Sequence, residues 1–315
     1  MSPSRRHFLT KLCMVAALAV TGTLASVHGA LAESPPVPQR LSLTGLYAAD
    51  GQVDARNLPY RPQYPLWTDG AGKNRWIYLP PGTQIDVSAV DTWRYPVGTK
   101  LWKEFAFAGH KVETRLIWHV ASDQWVFAAY RWNSAQTDAE LAPAEGVPDA
   151  WEIEPGRQHA IPSTTDCQTC HRGIPAVVLG FNALQLSDDR DPLAPHAQAL
   201  PKGAATLSTL EASGRFTPSR PEWVHEPPRI RTHDPIERAV LGYLSANCGN
   251  CHNKTGPLAR LGLFLRHDVA GPPESPEPAR ATTVDAKGMW LVPGIPAEAS
   301  EGAMKSKVRS LIDSA

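Results

Sequence analysis

Residues 100–132 read KLWKEFAFAGHKVETRLIWHVASDQWVFAAYRW, a stretch rich in aromatic and β-branched residues. Short segments that suit tight turns divide it into three runs, Lys100 to Phe107, Val112 to Val120 and Gln124 to Trp132. In the middle run, apolar residues and Thr114 alternate with Glu113, Arg115 and His119, as in a strand with one face towards water. The stretch therefore predicts three antiparallel strands.

Weaker strand patterns precede this stretch, at Asn74 to Pro80 and Gln84 to Val87. We therefore predict an antiparallel β-rich domain over residues 41–155, preceded by a Pro-rich linker at residues 33–40. A stretch rich in Pro, Gly and acidic residues, at 137–156, is interpreted as the connection to a second region.

The remainder of the chain predicts short helices and loops. Its clearest helix is Ile236 to Ser245, which has Asp234 as its cap and Pro235 in its first turn. We therefore expect a mainly helical, loop-rich portion, with one region at 156–232 and another at 233–315. The predicted fold class is α+β, a β-rich domain followed by this helical portion.

The first 32 residues have the pattern of an export signal. Arg5 and Arg6 give a basic start and resemble a twin-arginine signal, an apolar stretch follows, and Ala30-Leu31-Ala32 suits cleavage. The pattern predicts a signal peptide at residues 1–32, cleaved near Ala32, and a periplasmic product. Contact with a membrane is then expected only transiently, during export.

The charge composition indicates which classes of partner molecule are expected. The chain carries 31 basic and 31 acidic residues, and loss of the basic leader leaves a mildly acidic protein. Such a balance excludes nucleic acid as an expected partner. One of the five cysteines lies in the leader, and the other four all belong to two Cys-x-x-Cys pairs.

Each pair is followed directly by histidine, which completes the motif C-x-x-C-H. Two thiols at this spacing reach the two vinyl groups on one edge of a haem, and the histidine becomes an axial ligand of the iron. The motifs therefore predict two haem c groups. Their attachment residues and axial ligands are Cys167, Cys170 and His171 for haem 1, and Cys248, Cys251 and His252 for haem 2.

Three other kinds of site use paired cysteines. Two disulfides would not require histidine after each pair, and a redox-active dithiol is expected after a strand in a βαβ unit. A zinc site with four thiolates is normally preserved by reducing conditions, whereas this chain is predicted to be exported. The haem interpretation accounts for both histidines and for every cysteine after the leader.

The sixth ligands of the two irons are open at the level of sequence. No methionine lies between the motifs, so the candidates for haem 1 are histidines, each of which is more commonly a surface or turn residue: His159, His196, His225 and His233. Haem 2 is followed by Met289 and Met304, or has an open position. Because thioether ligation raises the reduction potential, we expect haem 1 to have the lower potential.

Tyr243 to Asn253, around the second motif, resembles the haem-binding helix of small class I cytochrome c domains. The wider chain resembles a family of exported bacterial c-type cytochromes with two C-x-x-C-H motifs, at residues 65–70 (PLWTDG), 95–100 (YPVGTK) and 178–181 (VLGF). The resemblance implies haem binding and electron transfer, and it does not identify a substrate. Family members usually continue into a Met-Pro segment that is not found here.

These observations predict a periplasmic dihaem cytochrome that moves single electrons between a periplasmic donor protein and an acceptor protein. Two other functions fit the same motifs. In a dihaem peroxidase one haem would be five-coordinate and bind peroxide, while the other supplies electrons. In a dehydrogenase complex this chain would be the electron-accepting subunit, with the β-rich domain as the docking surface.

Overall fold

The computed structural model describes residues 36–172 and 177–283. The predicted signal peptide, Met289 and Met304 lie outside these ranges. Within them, no helix is both long enough and apolar enough to span a bilayer.

A six-stranded antiparallel sheet forms the centre of the fold, with the strand order β1-β2-β4-β5-β6-β7. The three aromatic runs of the sequence correspond to β4, β5 and β6. The bounds of the six strands are β1 Leu58–Pro59, β2 Gly72–Tyr78, β4 Lys100–Phe107, β5 His110–Ala121, β6 Gln124–Trp132 and β7 Ala139–Leu141.

Both faces of this sheet are covered. On one face Trp102, Leu116 and Tyr130 pack under the N-terminal segment that contains Leu41. On the other face Leu101 belongs to a larger cluster that also includes residues of the second half of the chain. The expectation that β5 has a wet face is therefore wrong, because the second half of the chain covers its charged side.

The remaining strands form two small sheets. An antiparallel hairpin pairs β8 (Val147–Glu154) with β9 (Arg157–Ile161), and a short parallel sheet pairs β3 (Ile85–Asp86) with β10 (Phe216–Thr217). The hairpin lies largely where the sequence was interpreted as a connection. Its turn has Gly156 at a φ of 79°, so the glycine that indicated a linker instead closes a hairpin.

The prediction of a mainly helical second portion, and with it the α+β class, is wrong, because the protein is mainly β. After residue 156 the described chain consists mostly of loops with short helices, of which α4 is the longest. Frequent prolines limit helix length there, since each removes a backbone donor and disfavours helix in the preceding residue. The helices are α1 Thr164–His171, α2 Leu207–Ala212, α3 Glu222–His225, α4 Pro235–Asn247 and α5 Pro278–Thr283.

Apolar side chains on these loops pack against the sheet in place of helices. Phe181 and Val178 are 0% and 3% exposed, and they join the cluster that contains Ile77 and Leu101. Trp223 stacks on Trp93, with ring centroids 5.7 Å apart. Residues on both sides of position 156 thus share one hydrophobic core.

Candidate functional site

The first C-x-x-C-H motif occupies the end of helix α1. Ser163 begins the helix with a reciprocal cap, in which its side chain accepts a hydrogen bond from the Asp166 amide and its own amide donates to the Asp166 carboxylate. Cys170 and His171 follow Cys167 by three and four residues, so all three side chains lie on one face of the helix. This is the arrangement that attachment of one haem requires.

His171 is held in a defined orientation. Its Nδ1 donates a hydrogen bond of 2.6 Å to the backbone carbonyl of Val177, so Nε2 is the nitrogen left to bind a metal. Burial lowers the pKa of His171 to about 4, which keeps the imidazole neutral. A neutral imidazole fixed by a hydrogen bond at its other nitrogen is the form that ligates iron.

The motif borders a cavity of about 330 Å³ between helix α1 and the sheet. Cavities of roughly 300 to 1,000 Å³ are typical of small-molecule and cofactor sites. The lining combines Cys167, Cys170 and His171 with aromatic and aliphatic side chains of the sheet and of the loop at 178–185. The cavity is therefore a mostly apolar space next to two thiols and an imidazole.

Cationic side chains also line this cavity. Arg75, on β2, is 6% exposed, and burial lowers its pKa to about 10. Burial, together with the charges of Arg75 and Arg115, holds the pKa of Lys103 well below its usual range. Among the described residues, neither Arg75 nor Lys103 has a carboxylate as ion-pair partner. A buried guanidinium without an ion-pair partner, such as that of Arg75, favours an anionic ligand.

The positive charge of Arg115, the third cationic side chain of the cavity, is balanced by a carboxylate. Its Nη2 lies 2.5 Å from Glu113, which is 0% exposed, and Glu113 also lies 3.3 Å from His159 Nε2. His159 Nδ1 lies 2.9 Å from Asp69. Both nitrogens of His159 are thus engaged by carboxylates, and His159 itself does not line the cavity.

The second motif follows helix α4, which is confirmed where the sequence predicts it and begins with the Asp234 cap and Pro235. The Cys248 carbonyl accepts hydrogen bonds from the amides of Cys251 and His252, at 3.1 and 2.9 Å. One helical turn therefore brings the two cysteines and the histidine of this motif together. Burial, the largest effect, lowers the pKa of His252.

The two motifs are neighbours. Cys251 is close enough for its charge to raise the pKa of Cys170, after the larger effect of burial. The cavity wall includes Asn250, which lies within the second motif, and Ser245 and Ala246, which precede the motif, but not the cysteines or the histidine of the motif. Of the motif cysteines and histidines, only those of the first motif therefore line the cavity.

Asn247 fixes the end of helix α4 beside the sheet. Its side chain accepts a hydrogen bond of 2.7 Å from the Trp67 amide and donates one of 3.3 Å to the Pro65 carbonyl. The Tyr95 hydroxyl likewise donates to the Phe181 carbonyl. The three sequence segments that carry the family resemblance thus all lie around the cavity.

We expect Gly242→Ala to destabilise the protein. A Cβ atom at Gly242 would lie 2.1 Å from the Tyr64 ring, which is packed and hydrogen-bonded to Asp191 at 2.9 Å. Overpacking of this kind costs about 1–3 kcal/mol, which exceeds the gain of up to ~1 kcal/mol from replacing glycine within a helix. Chemical denaturation measures the change. The matched control is Gly72→Ala, whose Cβ would meet the Ala106 carbonyl at an ordinary 3.5 Å. Equal stability of the two variants would contradict the prediction.

The other sequence candidates for a sixth ligand do not border the cavity. His196, His225 and His233 are all exposed, and none of them lines the cavity. Among the described residues, the histidine that lines the cavity besides His171 is His267, which is not one of the sequence candidates. It is 6% exposed, and its Nδ1 lies 2.9 Å from the carboxylate of Glu277, which is 3% exposed.

The donor groups fit a haem better than they fit the other sites considered. The four cysteines are free thiols in this structure. In the described parts of the chain, no three His, Cys, Asp or Glu side chains form a group that could hold a bare metal ion. A haem iron brings four of its own ligands, so one imidazole beside two thiols suffices. Arg75, and Lys103 when it is protonated, match the two propionate carboxylates that a haem carries.

No family model matches this chain, and neither a curated protein nor a solved structure is significantly similar to it.

Proposed function

We propose that this protein is a periplasmic dihaem c-type cytochrome that carries single electrons between a donor and an acceptor protein. The observation that supports this most directly is the first motif, whose two thiols and neutral imidazole share one helix face beside an apolar cavity. Haem 1 would be held by thioether bonds to Cys167 and Cys170 and by His171, with Arg75 and Lys103 beside its propionates. It would supply one-electron redox chemistry.

The proposed role of the protein is to orient the histidine that ligates haem 1 and to exclude water from the cavity. The Val177 carbonyl fixes the ring of His171, and the loop at 178–185 forms part of the cavity wall. The second motif would hold haem 2 through Cys248, Cys251 and His252. Because Cys170 and Cys251 are close, the two attachment sites would be near each other, and a short distance between the two sites would favour electron exchange. Export to the periplasm, the proposed site of haem attachment, rests on the leader sequence.

A pyridine haemochrome assay tests this proposal. The protein, produced with the bacterial c-type maturation system, is expected to contain two covalent haems per chain. Replacing Cys167 and Cys170 by alanine should leave one haem, and so should replacing Cys248 and Cys251, because each pair forms its own thioether bonds. The double alanine variant at exposed Ser42 and Ser122 is the control and should retain two haems.

A wild-type protein that contains zinc and no haem would overturn the proposal. Peroxide turnover by a protein with two haems would instead favour the peroxidase alternative. An optical redox titration separates these outcomes further, since an electron carrier should show two reversible one-electron steps without added substrate.

A further inference from the structure

We propose that His267 would supply the sixth ligand of haem 1, in addition to the ligand that His171 would supply. This inference rests on the proposed function, since it concerns the haem attached to Cys167 and Cys170. It names a residue outside both C-x-x-C-H motifs.

The first observation is position. The chain has eleven histidines, and His171 and His267 are the two described ones that border the cavity. His267 lies on the part of the wall that follows the second motif, next to Arg266 and near Val269. Its backbone is fixed to helix α4, because its amide donates a hydrogen bond of 3.0 Å to the Ser245 hydroxyl.

The second observation is the state of the ring. Nδ1 of His267 lies 3.0 and 2.9 Å from the two carboxylate oxygens of Glu277, and both side chains are buried. Nε2 has no hydrogen-bond partner among the described residues, so it is the nitrogen left for a metal. A histidine whose Nδ1–H donates to a buried carboxylate is a recurrent form of metal ligand, because the carboxylate fixes the tautomer and strengthens the donor.

The side chain of Glu277 is held in position by Arg231. Its carboxylate accepts a hydrogen bond of 2.6 Å from the Arg231 amide, and the Arg231 side chain lies 3.8 Å away. These contacts fix the carboxylate in place, so Glu277 acts as a positioning residue for His267.

The exposed histidines proposed from sequence lack the two features of His267, a position in the cavity wall and a buried carboxylate partner. His225, at the end of helix α3, is exposed, and the described structure gives it no carboxylate partner and no place in the cavity wall. With His267 bound, haem 1 would be six-coordinate and closed to peroxide. That coordination favours the electron carrier over the peroxidase.

The spin state of the ferric haems tests the assignment in the full dihaem protein. Loss of a strong sixth ligand converts low-spin iron to high-spin iron, so His267→Ala should leave one of the two haems high-spin, and added imidazole should restore it. His225→Ala is the matched control and should leave the spectrum unchanged. If His267→Ala leaves both haems low-spin, the proposal is overturned.

Two further variants keep the test decisive if His267→Ala folds poorly. His267→Met should produce the near-infrared band of thioether-ligated ferric haem and raise one potential, because methionine ligation favours ferrous iron. Replacing Cys248 and Cys251 by alanine shows which haem His267 ligates, because this variant should contain only haem 1. The high-spin signal caused by His267→Ala must then persist. A signal that disappears in that background assigns His267 to haem 2 and overturns the proposal. Absence of covalent haem in the wild-type protein would instead refute the proposed function.

Discussion

Replacing Glu113 by leucine should lower the free energy of unfolding by about 3–5 kcal/mol, the typical cost of removing one partner from a buried charge network. Glu113 is 0% exposed and is shared by Arg115 and His159. Leucine would leave the buried His159 with Asp69 as its only carboxylate partner and Arg115 with none. Denaturation by urea, with the slope and midpoint compared to wild type, measures the loss.

The pH dependence of stability provides an independent check on this network. Burial lowers the pKa of His159, but hydrogen bonds to Glu113 and Asp69 outweigh it and raise the pKa overall. The stabilisation that protonated His159 contributes to the folded state is therefore complete at low pH. It is lost as the pH rises through the pKa that His159 has in the folded protein. Burial raises the pKa of Glu113, but the hydrogen bond from His159 and the charge of Arg115 lower it overall, so its contribution is lost as the pH falls.

In Glu113→Leu, the free energy of unfolding should depend less on pH than in the wild type, at both the acidic and the alkaline end of the range. The control is Glu140→Leu on the exposed side of β7, which should change stability by less than about 0.5 kcal/mol. A Glu113 variant that unfolds at the wild-type midpoint, or that keeps the wild-type dependence on pH, would show that the network contributes little. The effect bears on the site because His159 lies on β9, the strand that leads into helix α1.

Part of this fold is predictable from sequence because the signals are local. Alternation over Val112 to Val120 identifies a strand without knowledge of its partners, and Asp234-Pro235 identifies the start of helix α4 from capping alone. The two C-x-x-C-H motifs are local in the same sense, since a single helical turn arranges each one. The attachment residues of the proposed haems could therefore be named from the sequence.

The remainder depends on which parts of the chain meet in space. Glu113 and Arg115 alternate with apolar residues, which normally indicates a solvated face, and nothing local shows that the second half of the chain covers them. His267 and Glu277 are separated by a Pro-rich stretch that resembles an ordinary loop, so their pairing has no periodic signal. The helical content was overestimated because a c-type motif suggests helical cytochrome domains, whereas most of the described chain after residue 156 consists of loops.

Replacing Lys103 by methionine should lower the reduction potential of haem 1 by about 60 mV or more, equivalent to a tenfold change in a one-electron equilibrium. Lys103 lines the cavity beside the first motif, and its positive charge lowers the pKa of His171, after the larger effect of burial and a partly offsetting hydrogen bond to Val177. A nearby cation that disfavours a protonated imidazole also disfavours ferric iron relative to ferrous iron. Methionine has a similar length and no charge, so it removes this effect while filling the same space.

An optical redox titration at mildly acidic pH, where the amine is most fully protonated, measures the shift. Lys100→Met is the matched control, because Lys100 lies on the same strand but donates to the Thr44 carbonyl and stacks on Trp118. It should leave both potentials within the error of the titration. An unchanged or raised potential in Lys103→Met would show that Lys103 is neutral or that solvent screens it. In that case the lower potential expected for haem 1 would be set by its axial ligands alone.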